Sequence, residues 1–288
     1  MMHAACNVCD GPLVRGIADW HFVCRACGLA HSAFAPAINA RQAAIVPDEH
    51  ARSSGLAPLR DAGYRRVLDA LRATRGGGRG GTLLEVGSAH GWFLRAAAPD
   101  FDRSVGIEPD DGVRWMSNDA RIEVRAGYFP EQLGAAERFD AIAFNDVLEH
   151  IPDARRTAAA VADALRPGGI AIISIPVADG AIYRGAALMY RAGIRGPFER
   201  LWQKDFPSPH LYYFPRAALV RLFEHAGFAC VRTLTMPTLR VTGLWSRIRY
   251  AEPRIAVAAV TYAAAVLAAP ALRALPADVM CFFFRKSG

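Results

Sequence analysis

The sequence predicts an α/β protein, a doubly wound and mainly parallel sheet with a small four-cysteine module ahead of it. Three observations predict it. Strand-like apolar runs alternate with helical or turn segments from about residue 82 to residue 176. The first run passes into a glycine turn and a helix in LLEVGSAHGWFL at 83–94. Ahead of both, Cys6, Cys9, Cys24 and Cys27 form C-x2-C-x14-C-x2-C.

The chain has 288 residues, enough for one substantial core and a small appended module. Its 52% apolar and 21% charged residues fit a packed protein rather than a disordered one. The formal net charge of +7 rests almost wholly on arginine, because Lys204 and Lys286 are the only lysines. In so alanine-rich a chain that reads as compositional bias, and it argues against a nucleic-acid partner. The opening residues MMHAACNVCDGP lack the basic start and apolar stretch of a secretory signal, so a cytoplasmic protein is expected. The apolar stretch at 255–269 is shorter than the roughly 20 residues that span a bilayer.

In the cysteine module each C-x2-C turn directs two thiolates at one metal, and four thiolates close a tetrahedral coordination sphere. A structural Zn2+ is expected, with metal-free reduced cysteines as the alternative. The middle, DGPLVRGIADWHFV, has the length of a hairpin and is one residue short of the usual ribbon spacing. Cys230 and Cys281 lie inside apolar runs and read as small buried hydrophobes.

Residues 36–80 read as a linker and a helical approach. YRRVLDALRATRGGGRGG carries Val67, Leu68 and Leu71 at helical spacing and ends in glycines from Gly76. Then come the strand TLLEV, a helix from Gly91, the strand SVGIEP, a helix around 113–118, the strands IEVRAG and FDAIAFN, the helix ARRTAAAVADALRPGG and the strand IAIISIP. Strands separated by helices predict parallel pairing with helices on both faces.

Ligands of such sheets bind outside the carboxyl ends of the strands. Those ends carry the turn at 87–91, then Glu108 with Pro109, Gly127 with Tyr128, and Asn145 with Asp146. Glu108 offers two oxygens to the two ribose hydroxyls of a nucleoside, which fits an adenosine ligand. A dinucleotide fingerprint needs G-x-G-x-x-G, whereas this chain offers Gly87-x-x-x-Gly91 with Ala89 in the middle.

With these residues the chain resembles the class I S-adenosylmethionine-dependent methyltransferases, whose first motif is commonly E/D-x-G-x-G-x-G after a strand. GIEPD is similar to the family's acidic second-strand end, FDAIAFNDVLEHIPD to its fourth-strand motif, and ALRPGGIAIISIP to the turn into its fifth strand. HLYYFPRAALVRLFEHAGF resembles its later helix and the start of the sixth strand. The resemblance implies a Rossmann-like sheet of seven strands, the last antiparallel and supplied by ADVMCFFFRK. It implies a methyltransferase domain at 81–288, with insertions at about 177–209 and 236–275, behind a zinc ribbon at 1–35.

The same resemblance implies S-adenosyl-L-methionine as cofactor. Glu85, Gly87, Ser88, Ala89 and Gly91 would line its methionine portion, and Glu108 would hold the ribose with Pro109 beside it. Tyr128 would face the adenine, Asn145 and Asp146 would border the sulfonium side, and His90 is a further pocket-lining candidate. Ala89 is tolerable at negative φ and costs roughly 1 kcal/mol in the left-handed region.

For the base, His210 at the head of HLYYF ranks first and His150 in VLEHIPD second. Asp146 shares the i, i+3, i+4 spacing with Glu149 and His150. A histidine base suits a hydroxyl acceptor near neutral pH. The expected acceptor is a small molecule, a glycan or a lipid-linked intermediate. Arginines and aromatics mix in AIYRGAALMYRAGIRGPFERLWQKDF, either as a lid for such an acceptor or as an ordinary amphipathic helix. The segment at 244–275 either covers the mouth of the site or rests on a membrane surface, which would make the protein peripheral to the inner face. Two other readings compete. An RNA base methyltransferase would grip RNA through the hairpin, but only Arg15, Trp20, His21 and Phe22 suit that task there. A zinc-bearing scaffold without cofactor has Ala89 as its main support.

Overall fold

A computed structural model describes residues 5–39, 49–236, 243–251, 254–272 and 275–288. The cysteine module contributes β1 (Leu13–Arg15), β2 (His21–Cys24) and β3 (Ala30–Ser32). Helix α1 (Glu49–Thr74) leads to β4 (Thr82–Val86), α2 (Trp92–Ala97), β5 (Arg103–Glu108), β6 (Ile122–Ala126), β7 (Phe139–Asn145), α3 (Ala154–Ala164) and β8 (Leu165–Pro176). The first insertion carries α4 (Ala181–Arg191) and α5 (Gly196–Leu201). Then follow β9 (Tyr212–Tyr213), α6 (Arg216–His225), β10 (Phe228–Met236), α7 (Leu244–Ala251), α8 (Ile255–Leu272) and β11 (Val279–Lys286).

The main sheet runs β10-β11-β8-β7-β4-β5-β6. Strands β4 to β8 pair in parallel, and β11 is antiparallel to both of its neighbours. This is the doubly wound Rossmann-like sheet expected from the sequence, closed by the antiparallel strand in ADVMCFFFRK. Alternation along the strands builds two cores. Ala141, Ala143, Ile170 and Ile172 face Val67, Leu68 and Leu71 of α1 and Phe93 and Leu94 of α2. Ile142, Phe144, Ile173 and Ile175 face Ala158 and Val161 of α3 and Leu219 and Phe223 of α6. Because β10 and β8 are both antiparallel to β11, β10 ends at the edge where the parallel strands end.

Two local expectations change, and one pairing is added. The helix expected around 113–118 is a turn followed by chain without regular structure. Asp110 Oδ1 accepts the Gly112 N–H at 2.8 Å, a side-chain bond that competes with helix, and Trp115 folds back so that its N–H donates to Ala89 O at 3.0 Å. HLYYF leads into α6 as expected, and its Tyr212 and Tyr213 also form β9, pairing Ala30 with Tyr213 and His31 with Tyr212. The cysteine module and the catalytic-size domain therefore share a second sheet, ordered β1-β2-β3-β9. Finally, α8 does not lie against the site with its apolar side: Ile255, Val257, Val260 and Leu267 are all exposed. Among the described residues no helix is long and apolar enough to cross a membrane.

Candidate functional site

Strand β4 carries Glu85 into the middle of the sheet, where it is buried. Across the β4/β7 pairing Asn145 Nδ2 donates to Glu85 Oε1 at 2.9 Å. Burial pushes the Glu85 carboxyl up to about 8, and the bond from Asn145 opposes that rise.

The turn after β4 is shaped by close approach. A Cβ at Gly87 would meet Val147 Cγ2 at 2.4 Å, and one at Gly91 would meet Trp115 Cε3 at 2.0 Å. Both glycines also have positive φ, 71° and 64°. Ala89 between them takes φ 39°, so its methyl sits in the left-handed region at a cost of about 1 kcal/mol. Its N–H donates to Glu108 Oε2 at 2.8 Å, and the Asp110 N–H donates to Glu108 Oε1 at 2.9 Å. Burial raises the Glu108 carboxyl above its usual range while these two bonds lower it. A carboxylate offers about four lone-pair sites, so Glu108 can still receive two hydroxyls. Pro109 O accepts from Asn39 Nδ2 at 2.6 Å, which brings the segment after the cysteine module over the end of β5.

His90 is half-buried beside Trp92, with ring centroids 4.8 Å apart. Tyr128 stands on the rim, 57% exposed. Among the described residues Glu85 Oε2, Ser88 Oγ and Asn145 Oδ1 are buried with no hydrogen-bond partner. A row of orphaned polar atoms is costly in a packed interior, and it matches a polar ligand held at this edge.

At the end of β7, Asp146 has φ 57° and pairs with Arg60 Nη1 of α1 at 2.7 Å. The segment after it is a 3-10 turn at Leu148–His150, so the helical spacing expected to group Asp146 with Glu149 and His150 does not hold. Arg60 and Tyr64, linked at 3.4 Å, were not legible as site residues, because their helical spacing marks only a packed helix.

Glu149 is wholly buried, and neither of its oxygens has a partner among the described residues. Burial drives its carboxyl well above the usual range, and the charge of Asp146 adds to the rise. His150, half-buried, donates from Nδ1 to Pro209 O at 2.9 Å, which makes Nε2 its basic nitrogen. Its ring centroid lies 4.7 Å from that of His210. His210 is buried, with Nε2 accepting from Gln203 Nε2 at 3.0 Å, and burial holds its pKa well below the usual histidine value. Ligand-type atoms of Glu149, His150 and His210 lie within 4.8 Å of one another, a donor set able to hold a proton or a cation. Desolvation makes His210 a weak base, and His150 is the one near the surface of the site.

The four cysteines gather as expected from their spacing. Cys6 Sγ and Cys27 Sγ are 3.5 Å apart, as are Cys9 Sγ and Cys24 Sγ, and all four thiols lie within 4.8 Å of one another. Such a set fits tetrahedral coordination. The module is tied to the histidines through backbone. Ser32 Oγ donates to His210 O at 2.8 Å, Ser32 N to Leu211 O at 2.9 Å, and Leu211 N to Glu149 O at 2.7 Å. The Tyr212 hydroxyl bonds Asn7 of the module and Pro152 O.

Residues 59–233 match the methyltransferase domain family. A methyltransferase of Mycobacterium avium (strain 104) is 33% identical over 117 residues, covering 38% of this chain and 46% of that relative. A methyltransferase of Mycolicibacterium gilvum (strain PYR-GCK) is 34% identical over the same length, with the same shares covered. The chain thus matches about half the length of these curated relatives. In fold it is similar to the cyclopropane synthase MmaA2 of Mycobacterium tuberculosis, with a TM-score of 0.53 at 18% identity over 76% of this chain and 84% of that one. It is similar also to an S-adenosylmethionine-dependent methyltransferase of Mesorhizobium loti, with a TM-score of 0.50 at 18% identity over 76% of this chain and 96% of that one. With its family match spanning 59–233 of 288 residues, the chain belongs to the methyltransferase domain family.

Proposed function

We propose that this chain is an S-adenosyl-L-methionine-dependent methyltransferase acting on an oxygen of a small-molecule, glycan or lipid-linked acceptor, and that its four cysteines hold a structural Zn2+. The observation that carries the reading is the row of orphaned buried atoms, Glu85 Oε2, Ser88 Oγ and Asn145 Oδ1, under a turn whose glycines admit no side chain. When bound, the cofactor supplies an electrophilic methyl on a sulfonium.

The chain's own residues bind, orient and move a proton. Gly87, Ser88, Ala89 and Gly91 line the methionine end, with Glu85 beneath and His90 at the side. Glu108 receives the ribose hydroxyls, Pro109 flanks them, and Tyr128 covers the adenine edge. Asn145 borders the sulfonium, and Asp146, neutralised by Arg60, fixes the entrance from α1. His150 Nε2 takes the acceptor's hydroxyl proton while Pro209 O holds the ring. His210 is a positioning residue packed against it. Alignment for in-line attack supplies the larger part of the rate, and the proton transfer typically contributes about 10²–10⁴-fold. Peripheral membrane contact through 244–275 is part of this reading, supported by the exposed apolar residues of α8.

The test is calorimetry of the purified full chain with S-adenosylmethionine, followed by assay of lipid, small-molecule and RNA fractions with methyl-labelled cofactor. Micromolar cofactor binding and label in the first two fractions are expected. No binding by a folded sample, or label in RNA alone, would overturn the proposal.

A further inference from the structure

A groove away from the strand-end turn lies between the cysteine module and the first insertion, with a volume of about 530 Å³. One wall is the module, through Arg15, Gly16, His21 and Val23, and the other is α4, through Tyr183, Arg184 and Arg191. The sequence places these arginines in two segments with no sign that they meet. Pairing of β3 with β9 brings the walls together.

The groove is cationic, with three arginines and one carboxylate in its lining. Arg184 and Arg191 have no carboxylate partner among the described residues. Arg15 pairs with Asp19 at 3.4 Å, but both side chains are largely exposed, and such a pair is weak. The one carboxylate in the lining, Asp179, is already taken by Arg216, whose backbone N–H it accepts at 3.2 Å and whose Nε lies at 3.4 Å.

The groove also presents an oriented hydroxyl. The Ile17 N–H donates to His21 Nδ1 at 3.2 Å, so His21 carries its proton on Nε2, which lies 3.3 Å from the Tyr183 hydroxyl. Tyr183 therefore accepts from His21 and keeps its own proton for a ligand. Burial, reinforced by the charge of Arg191, lowers the His21 pKa to about 4, so the imidazole remains neutral and this arrangement persists at physiological pH. Phe198 completes the apolar side of the groove. Guanidinium groups on both walls, a tyrosine hydroxyl between them and an apolar side form a receptor for a multiply charged oxyanion with an organic body.

We propose that this groove binds the phosphate group of a phosphorylated molecule, and that the cysteine module is there to supply one of its walls. The groove stands on its own geometry; the further step, that the phosphorylated molecule is the methyl acceptor, rests on the methyltransferase reading above. Tyr183 stacks near Tyr213 at 4.5 Å between centroids, and Tyr213 lies 5.2 Å from His210, so the groove adjoins the histidine pair through two rings.

The test titrates the full chain with inorganic pyrophosphate by calorimetry, with S-adenosylmethionine titrated in parallel, and measures retention on vesicles of phosphatidate against vesicles of phosphatidylcholine alone. Saturable pyrophosphate binding that weakens at least about tenfold in Arg184→Gln/Arg191→Gln, and again in Arg15→Gln, supports a soluble phosphorylated ligand. Retention on phosphatidate vesicles alone, lost in the same variants without competition by pyrophosphate, supports a lipid headgroup as the source. Binding that is absent in both arms, or unchanged in the variants, overturns the groove. Cofactor affinity separates the two proposals: if it is intact while pyrophosphate and vesicles fail, the groove falls and the methyltransferase reading stands.

Discussion

Ser32 of the cysteine module donates its hydroxyl to the main-chain oxygen of His210 at 2.8 Å. The third strand of a small N-terminal sheet thus holds the backbone of a histidine that packs against His150. Loss of that partly buried bond costs about 1 kcal/mol. The variant Ser32→Ala should lower kcat several-fold and leave the dissociation constant of S-adenosylmethionine unchanged, which stopped assays and calorimetry check together.

Metal removal should act along the same route. With Zn2+ at the four thiols, Cys24→Ser/Cys27→Ser should lose one metal equivalent by mass spectrometry and lower Tm. Disorder of β1 to β3 would leave β9 without a partner strand, so methyl transfer should fall at least about tenfold, the equivalent of 1.4 kcal/mol. Metal content equal to wild type would remove the zinc assignment.

The left-handed Ala89 makes an opposite and sharper prediction. Ala89→Gly should relieve the strain and raise stability by about 0.5–1 kcal/mol, without weakening the cofactor. Ala89→Val should destabilise by more than that, because a branched side chain resists positive φ. Urea denaturation reads both.

On the proposed reading, Glu108 holds the cofactor's ribose. Replacing it with alanine removes the acceptor of two backbone N–H groups and of the ribose hydroxyls, so affinity should drop about 10²-fold or more. His150→Ala should lower kcat by about 10²–10⁴-fold with cofactor affinity kept, whereas His210→Ala should lower kcat less and shift its pH profile through His150.

Stability should fall on both sides of a window in pH. Folded Glu85 keeps its proton up to about 8 although an ordinary carboxyl loses it near 4.5, so its contribution is complete below 4.5 and is lost as pH rises toward 8. His21 is the reverse case. Its folded pKa is lowered from 6.5 to about 4, so its contribution is complete above 6.5 and is lost as pH falls toward 4. Glu85→Gln should flatten the alkaline slope and His21→Gln the acid one, as read by denaturant midpoints across pH.

The alternation of strands and helices was legible because each element announces itself locally, by period and by turn residues. The strand-end candidates followed from the same pattern, since a parallel sheet places its strand ends on one edge. The helix expected at 113–118 was misread because Asp110 closes a side-chain turn that the apolar spacing does not register. The burial of His210 was not legible, because a motif does not encode it.

The sequence by itself determined the doubly wound sheet and the clustering of four thiols, set by hydrophobic period and by spacing within short segments, while its antiparallel last strand followed from the family resemblance. Only the tertiary structure decided that Asp146 answers to Arg60, that β3 pairs with β9, and that Arg15 faces Arg184 and Arg191 across a groove. Those relationships join residues 86 positions apart, 181 and 183 apart, and 169 and 176 apart. Their partners are chosen by how helices and strands pack in three dimensions, and no local pattern carries that choice.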